Sequence, residues 1–177
     1  MRELAAIANE ATEARLGFVI IGGLAVNSYG HARTTFDADF LIPRRDLGAW
    51  KSLLERFGYA LRHEQETFVQ FTPPLKGMWP IDLMLVNDRT FGKLAGEARL
   101  LQIAGRPMPV PAPLHLIALK LHALKHGPVT RKDTDLPDIV ELVRLQGIDV
   151  ESAAFANICE AYGTKELRHE IQKRLES

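Results

Sequence analysis

Cysteine is nearly missing from this chain: its 177 residues include one, Cys159. An intrachain disulfide framework is excluded, and a reducing cytoplasm is the expected compartment. Long apolar runs are missing too. None approaches the roughly 18–20 residues that span a bilayer, so no membrane role is expected. The opening Met1-Arg-Glu-Leu-Ala-Ala soon meets Glu3, Glu10 and Glu13 instead of the apolar core of a signal peptide. Net charge is absent, with 22 basic and 22 acidic residues. Nothing therefore marks the whole protein as a generic polyanion binder. Internal repeats and low-complexity segments are lacking as well. What is present is a hydrophobic fraction of 46%, near the globular norm and sufficient for a core in a chain of this length.

Periodicity divides the chain. Leu4, Ile7, Ala8, Ala11 and Leu16 predict an amphipathic helix over residues 2–15. Phe18 to Ile21 reads as a buried strand ended by Gly22-Gly23, and Leu24 to Tyr29 as a short helix stopped at Gly30. Phe36 to Ile42 reads as a second strand. Leu47, Trp50, Leu54 and Phe57 form a helical stripe before Gly58. Strands are expected at 59–63, 67–72 and 81–86, with a further strand or hairpin arm within 100–110. Beyond residue 111, Leu114, Ile117, Ala118, Leu121 and Leu124 make another helical stripe, and helices are expected from 138 to 145 and within 151–174. The predicted organisation is a mixed α/β catalytic core over residues 1–110 and a helical segment over 111–177. The fold class is α/β (α+β), a small mixed twisted sheet flanked by helices.

The chemistry gathers around three carboxylates. Asp37 and Asp39 are two apart in a predicted strand, so period-two alternation places both on one face, about 6–7 Å apart, with Phe36, Ala38 and Phe40 facing the core. Asp82 interrupts the apolar run Pro80-Ile-Asp-Leu-Met-Leu-Val86, where a lone carboxylate is costly unless paired, hydrogen-bonded or metal-bound. If the two strands are neighbours, the three converge. An all-oxygen set suits Mg²⁺ or Mn²⁺, not Zn²⁺, and two such ions roughly 4 Å apart would clamp a phosphoryl transfer. Gly22-Gly23, between a strand and a short helix, offers backbone N–H groups to phosphates.

The order strand, Gly-Gly, short helix, Gly-x-x-Arg-x-Thr-x-Asp-x-Asp resembles the nucleotidyltransferase superfamily with the polymerase-β-type fold. More narrowly it resembles the bacterial AbiEii-type (type IV toxin–antitoxin) nucleotidyltransferases and their small relatives. The matching residues are Gly22, Gly23, Gly30, Arg33, Thr35, Asp37, Asp39 and Asp82. Lys120 in Leu119-Lys-Leu-His-Ala also matches, as do Asp135 and Asp138 in Arg131-Lys-Asp-Thr-Asp-Leu-Pro-Asp-Ile139. The resemblance implies transfer of a nucleoside monophosphate from an NTP to an acceptor hydroxyl of RNA or tRNA, a protein or a small molecule. In that scheme Asp37, Asp39 and Asp82 hold Mg²⁺ or Mn²⁺, Gly22, Gly23, Arg33, Lys120 and Asp138 serve the nucleotide, and a cognate antitoxin is a partner. Many relatives have Gly-Ser where this chain has Gly22-Gly23, which leaves backbone amides in place of the serine contact. The AbiEii-type toxins are also longer.

Plainer readings stand beside these. Gly22-Gly23 also reads as a tight turn, Arg33 as a tether for a carboxylate, and Lys120 as a snorkelling helix residue. Asp135 and Asp138 also read as caps or dipole partners of a following helix. His122 and His126 have the i, i+4 spacing of zinc ligands, but residue 123 is not Glu and no third ligand is evident. Cys159 reads as core. Lys120, Lys125, Arg131 and Lys132 read either as a basic surface for RNA or as a solvated face. The chief rival is a nucleotidyltransferase-fold protein that binds nucleotide or a partner without catalysis. Phosphatases and glycosyltransferases that use Asp-x-Asp fit less well, because Leu41 stands where the phosphatases carry Thr or Val and the chain is short for the glycosyltransferases.

Overall fold

The computed structural model describes residues 2–176, in two compact units. The first comprises the chain through Ser28 together with Arg33–Pro111. Its elements are α1 (Arg2–Glu13), β1 (Val19–Ile20), α2 (Gly22–Ser28), β2 (Ala38–Pro43), α3 (Leu47–Arg56), β3 (Ala60–Glu64), β4 (Phe68–Thr72), β5 (Ile81–Val86), α4 (Asp88–Gly96), β6 (Arg99–Ile103) and β7 (Arg106–Val110). A five-stranded sheet runs in the order β1-β2-β5-β4-β3, and β6 and β7 form a separate hairpin. Only β2 and β5 pair in parallel; the other neighbours are antiparallel.

Alternation sorts the sheet into two faces. Ala38, Phe40, Ile42, Ile81, Leu83, Leu85, Val69 and Phe71 are all buried and form the core row. The apolar stripes of α1 (Leu4, Ile7, Ala8, Ala11) and α3 (Trp50, Leu53, Leu54) are buried too. Trp50 anchors this layer. Its ring lies 5.1 Å from that of Phe40 and 5.8 Å from that of Phe18, and its Nε1 donates to Gly17 O. The opposite face carries Asp39, Asp82 and Gln70 together with Leu41, which is fully buried, and Met84 and Phe68.

Two sequence expectations need correction. The strand expected to open at Phe36 begins at Ala38, and Phe36 is 76% exposed instead of facing the core. Residues 31–37 are irregular, so alternation does not reach back to Phe36. Helix α4 was not foreseen: Phe91, Leu94 and Ala95 do fall at i, i+3 and i+4, but the stripe is one turn long and buries only Leu94. Its start was written in Asn87, whose side chain caps Thr90 N at 2.8 Å.

The second unit comprises Tyr29–Ala32 and the chain from Ala112 on. It holds α5 (Pro113–His126), α6 (Asp135–Gln146), α7 (Ala153–Tyr162) and α8 (Lys165–Glu176). Its core is Leu116, Ile117 and Leu121 of α5, Leu136, Ile139, Leu142 and Val143 of α6, Phe155 and Cys159 of α7, and Leu167 and Ile171 of α8. Helix α6 ends at Gly147 in the left-handed conformation (φ 60°), where a side chain would be strained. Gln146 Nε2 ties the 29–32 segment to this unit by donating to Tyr29 O at 3.1 Å.

Candidate active site

The parallel register sets Asp39 of β2 directly beside Asp82 of β5, and the antiparallel register sets Gln70 of β4 beside Asp82. Residues paired this way share a face. A polar row of Asp39, Asp82 and Gln70 thus runs across three strands, on the face away from Phe40 and Leu83. Asp37 precedes β2 by one residue and is held locally: Thr35 Oγ1 donates to its Oδ1 at 2.9 Å.

Gly22 and Gly23 open α2 against this row. Gly22 has φ +63°, and a Cβ there would lie 1.8 Å from Asp39 Oδ2. At Gly23 a Cβ would lie 2.5 Å from Thr35 Oγ1 and 3.0 Å from Arg33 Nη2. The glycine pair is therefore required by site residues that pack onto bare backbone. Ile21 N donates to Asp39 O at 3.0 Å and fixes the approach from the other side.

Two positioning residues escaped sequence reasoning. Asn27, in α2, clamps the backbone of Arg33: its Nδ2 donates to Arg33 O at 2.8 Å, and its Oδ1 accepts from Arg33 N at 3.2 Å. The clamp fixes the start of the 33–37 loop. Gln70 Nε2 donates to Asp82 Oδ2 at 2.9 Å. Each had a signal, a lone amide in an otherwise apolar helix or strand, which gains meaning only once pairing is known.

Burial raises the Asp82 pKa above the ordinary carboxylate value. The Gln70 hydrogen bond opposes this, the Asp37 charge adds to it, and the Arg62 charge opposes it. Asp37 and Asp82 thus stand near enough to repel. Among the described residues no three His, Cys, Asp or Glu side chains are gathered into a ready-made ion cage. The donor chemistry nevertheless fits a hard divalent cation. The set is all oxygen, and the repulsion and burial that make Asp82 reluctant to ionise are what a cation relieves.

The remaining expected site residues belong to the helical unit. Lys120 is buried, with Nζ 2.7 Å from Asp135 Oδ1 and 2.7 Å from Asp138 Oδ2. Arg131 Nη1 reaches Asp135 Oδ2 at 3.0 Å, and His31 Nε2 lies 3.6 Å from Asp138 Oδ1. Both aspartates stand in the first turn of α6, but Thr134 holds the cap position. The basic group expected at 120–132 is not one surface: Lys120 is internal, Arg131 is paired with Asp135, and Lys132 lies 3.4 Å from Glu170. The His122 and His126 rings lie 4.5 Å apart. Burial pushes the Cys159 thiol up to about 11, as suits a core residue.

No protein-family model and no curated protein sequence matches the chain. Solved structures do. The solution structure of the antibiotic-resistance factor ANT(2'')-Ia superposes with a TM-score of 0.62 at 18% identity, over 98% of this chain and 89% of that one. The lincosamide antibiotic adenylyltransferase LnuA, bound to lincomycin, gives 0.57 at 16% identity, over 81% and 96%. A nucleotidyltransferase-like protein from Paracoccidioides brasiliensis gives 0.55 at 16% identity, over 94% and 89%. At these identities the likeness is one of fold. The five-stranded mixed sheet flanked by helices is the nucleotidyltransferase fold.

Proposed function

We propose that this protein is a metal-dependent nucleotidyltransferase that moves an NMP from an NTP to an acceptor hydroxyl. The observation that carries the reading is Asp39 abreast of Asp82, with Asp37 near enough to raise the proton affinity of Asp82 and Asp39 itself packed on Gly22 of the Gly22-Gly23 turn. The acceptor oxygen attacks the α-phosphorus. The bond from that phosphorus to the bridging oxygen breaks, and pyrophosphate leaves with the electron pair. Asp82, the carboxylate at the centre of the polar row, takes the acceptor proton. Asp37, Asp39 and Asp82 would hold Mg²⁺ or Mn²⁺, which when bound neutralises phosphate charge. Arg33, clamped by Asn27, stands beside Gly23 and supplies a cation for the triphosphate. Lys120 and Asp138 are kept in the nucleotide scheme by the sequence resemblance alone.

The acceptor favoured here is a small molecule. Structures of the same fold include ANT(2'')-Ia with adenylyl-2''-tobramycin and LnuA with lincomycin. The narrower kinship with AbiEii-type toxins rests on Gly30-x-x-Arg33-x-Thr35-x-Asp37-x-Asp39 and predicts a neighbouring gene for a small DNA-binding antitoxin. The direct test is isothermal titration of the four NTPs with Mg²⁺ into the native protein and the Asp37→Ala/Asp39→Ala variant. Metal-dependent binding lost in the variant supports the site. No binding to either protein replaces it with a non-catalytic, partner-binding role.

A further inference from the structure

The sheet edge beyond Asp82 carries a cation, Arg62, that no ion pair ties down among the described residues. Strand β3 pairs with β4 through a bulge: Leu61 faces Phe71 and His63 faces Gln70, leaving Arg62 as the extra residue. Bulges re-aim side chains beside functional sites. Here the polar row Asp39–Asp82–Gln70 is extended by His63, and the Arg62 guanidinium comes near enough for its charge to act on Asp82. Glu64 falls to the other face, where Lys51 Nζ binds it at 2.7 Å, and Glu66 lies 3.9 Å from Arg44. Among the described residues Arg62 makes no ion pair and no hydrogen bond. Nor does it close on Asp82, whose Oδ2 is taken by Gln70. His63 and Phe68 pack ring to ring at 5.5 Å next to it, and Met84, two residues along β5 from Asp82 and paired with Phe68, is 37% exposed.

We infer that the β3–β5 face is the acceptor subsite, and that Arg62 is a specificity-determining residue selecting a small hydroxylated acceptor that carries an anionic group, phosphate or carboxylate. The inference rests on the nucleotidyl-transfer reading. An uncommitted guanidinium on an exposed edge forms charge-assisted, bidentate bonds to such an anion while the acceptor hydroxyl faces Asp82. His63, Phe68 and Met84 supply the apolar wall. The same guanidinium repels a polycation. A nucleic-acid acceptor is disfavoured, because tracking its backbone takes several cations and strands β3–β5 carry a single arginine or lysine, Arg62.

The test uses the full chain saturated with the NTP that the first titration selects, as its α,β-methylene analogue. Ribose 5-phosphate, glucuronate, ribose and tobramycin are titrated into the native protein and into Arg62→Gln. The expected result is that ribose 5-phosphate or glucuronate binds at least about tenfold more tightly than ribose or tobramycin, and that Arg62→Gln loses this preference by a similar factor with NTP affinity unchanged. The stronger of the two acids names the anion. Tobramycin binding best, no change in Arg62→Gln, or a single-stranded oligonucleotide binding far more tightly than ribose 5-phosphate overturns the inference while NTP binding stands. Failure of the native protein to bind any NTP instead overturns the reading beneath it, and the inference falls with it.

Discussion

Asp39 Oδ2 occupies the place a Cβ on Gly22 would need, 1.8 Å from that ideal position, and Gly22 also holds φ +63°. Conformation and contact each demand glycine. Gly22→Ala is expected to cost about 1–2 kcal/mol from the left-handed backbone alone, with displacement of Asp39 added to it. Chemical denaturation of the variant checks this. A stability within a few tenths of a kcal/mol of native would show that Asp39 does not sit on Gly22.

Gly23 makes the complementary case. The sequence resemblance implies serine at this place, but a Cβ at Gly23 would lie 2.5 Å from Thr35 Oγ1, the group that holds Asp37. Gly23→Ser should therefore weaken NTP binding by loosening Asp37, where a gained phosphate ligand would strengthen it. Titration of the same NTP into both proteins decides between them.

Phe36 and Phe40 show where sequence reading succeeds and where it stops. The element order from α1 through β5 was legible, because each element carries its own apolar period and Gly or Pro punctuation. The carboxylates were legible because Asp39 and Asp82 break apolar strands. What period could not supply is where a strand begins, and Phe36 was misplaced for that reason. Nor could it supply which polar residues meet across strands, so Gln70, Asn27 and Arg62 gained roles only from pairing and folding. Phe40→Ala, which empties space beside Trp50, should cost about 3–5 kcal/mol. Phe36→Ser, at 76% exposure, should stay within about 0.5 kcal/mol of native. Paired denaturant melts test the contrast, and a large loss at Phe36 would return it to the core.

Lys120 neutralises two buried carboxylates at 2.7 Å each, so its removal leaves Asp135 with Arg131 alone and takes from Asp138 its 2.7 Å ammonium contact. Lys120→Met should destabilise the protein by about 3–5 kcal/mol, since an uncompensated buried charge costs more than the pair contributes. Thermal melts read the stability, and NTP titration of the folded variant reads the binding. Near-native stability with NTP affinity lost would instead make Lys120 a phosphate ligand.

Asp82 should reveal its function through stability. Burial raises its pKa, so the folded chain binds that proton more tightly than the unfolded chain does. The group therefore favours the native state once pH falls through the raised value toward the ordinary 3.8, and opposes it at neutral pH, where the buried carboxylate must be ionised. Asp82→Asn removes that charge, and Gln70 can turn its amide to meet the new side chain. The variant is expected to melt above the native protein at neutral pH, with the gap closing as pH drops through the acidic range, while NMP transfer is lost. Added Mg²⁺ should raise the native midpoint and leave the variant's nearly unmoved, because a ligand stabilises only the fold that binds it. A variant less stable than native at neutral pH would mean that Asp82 is held for structure, and the acid–base role given to it would fail.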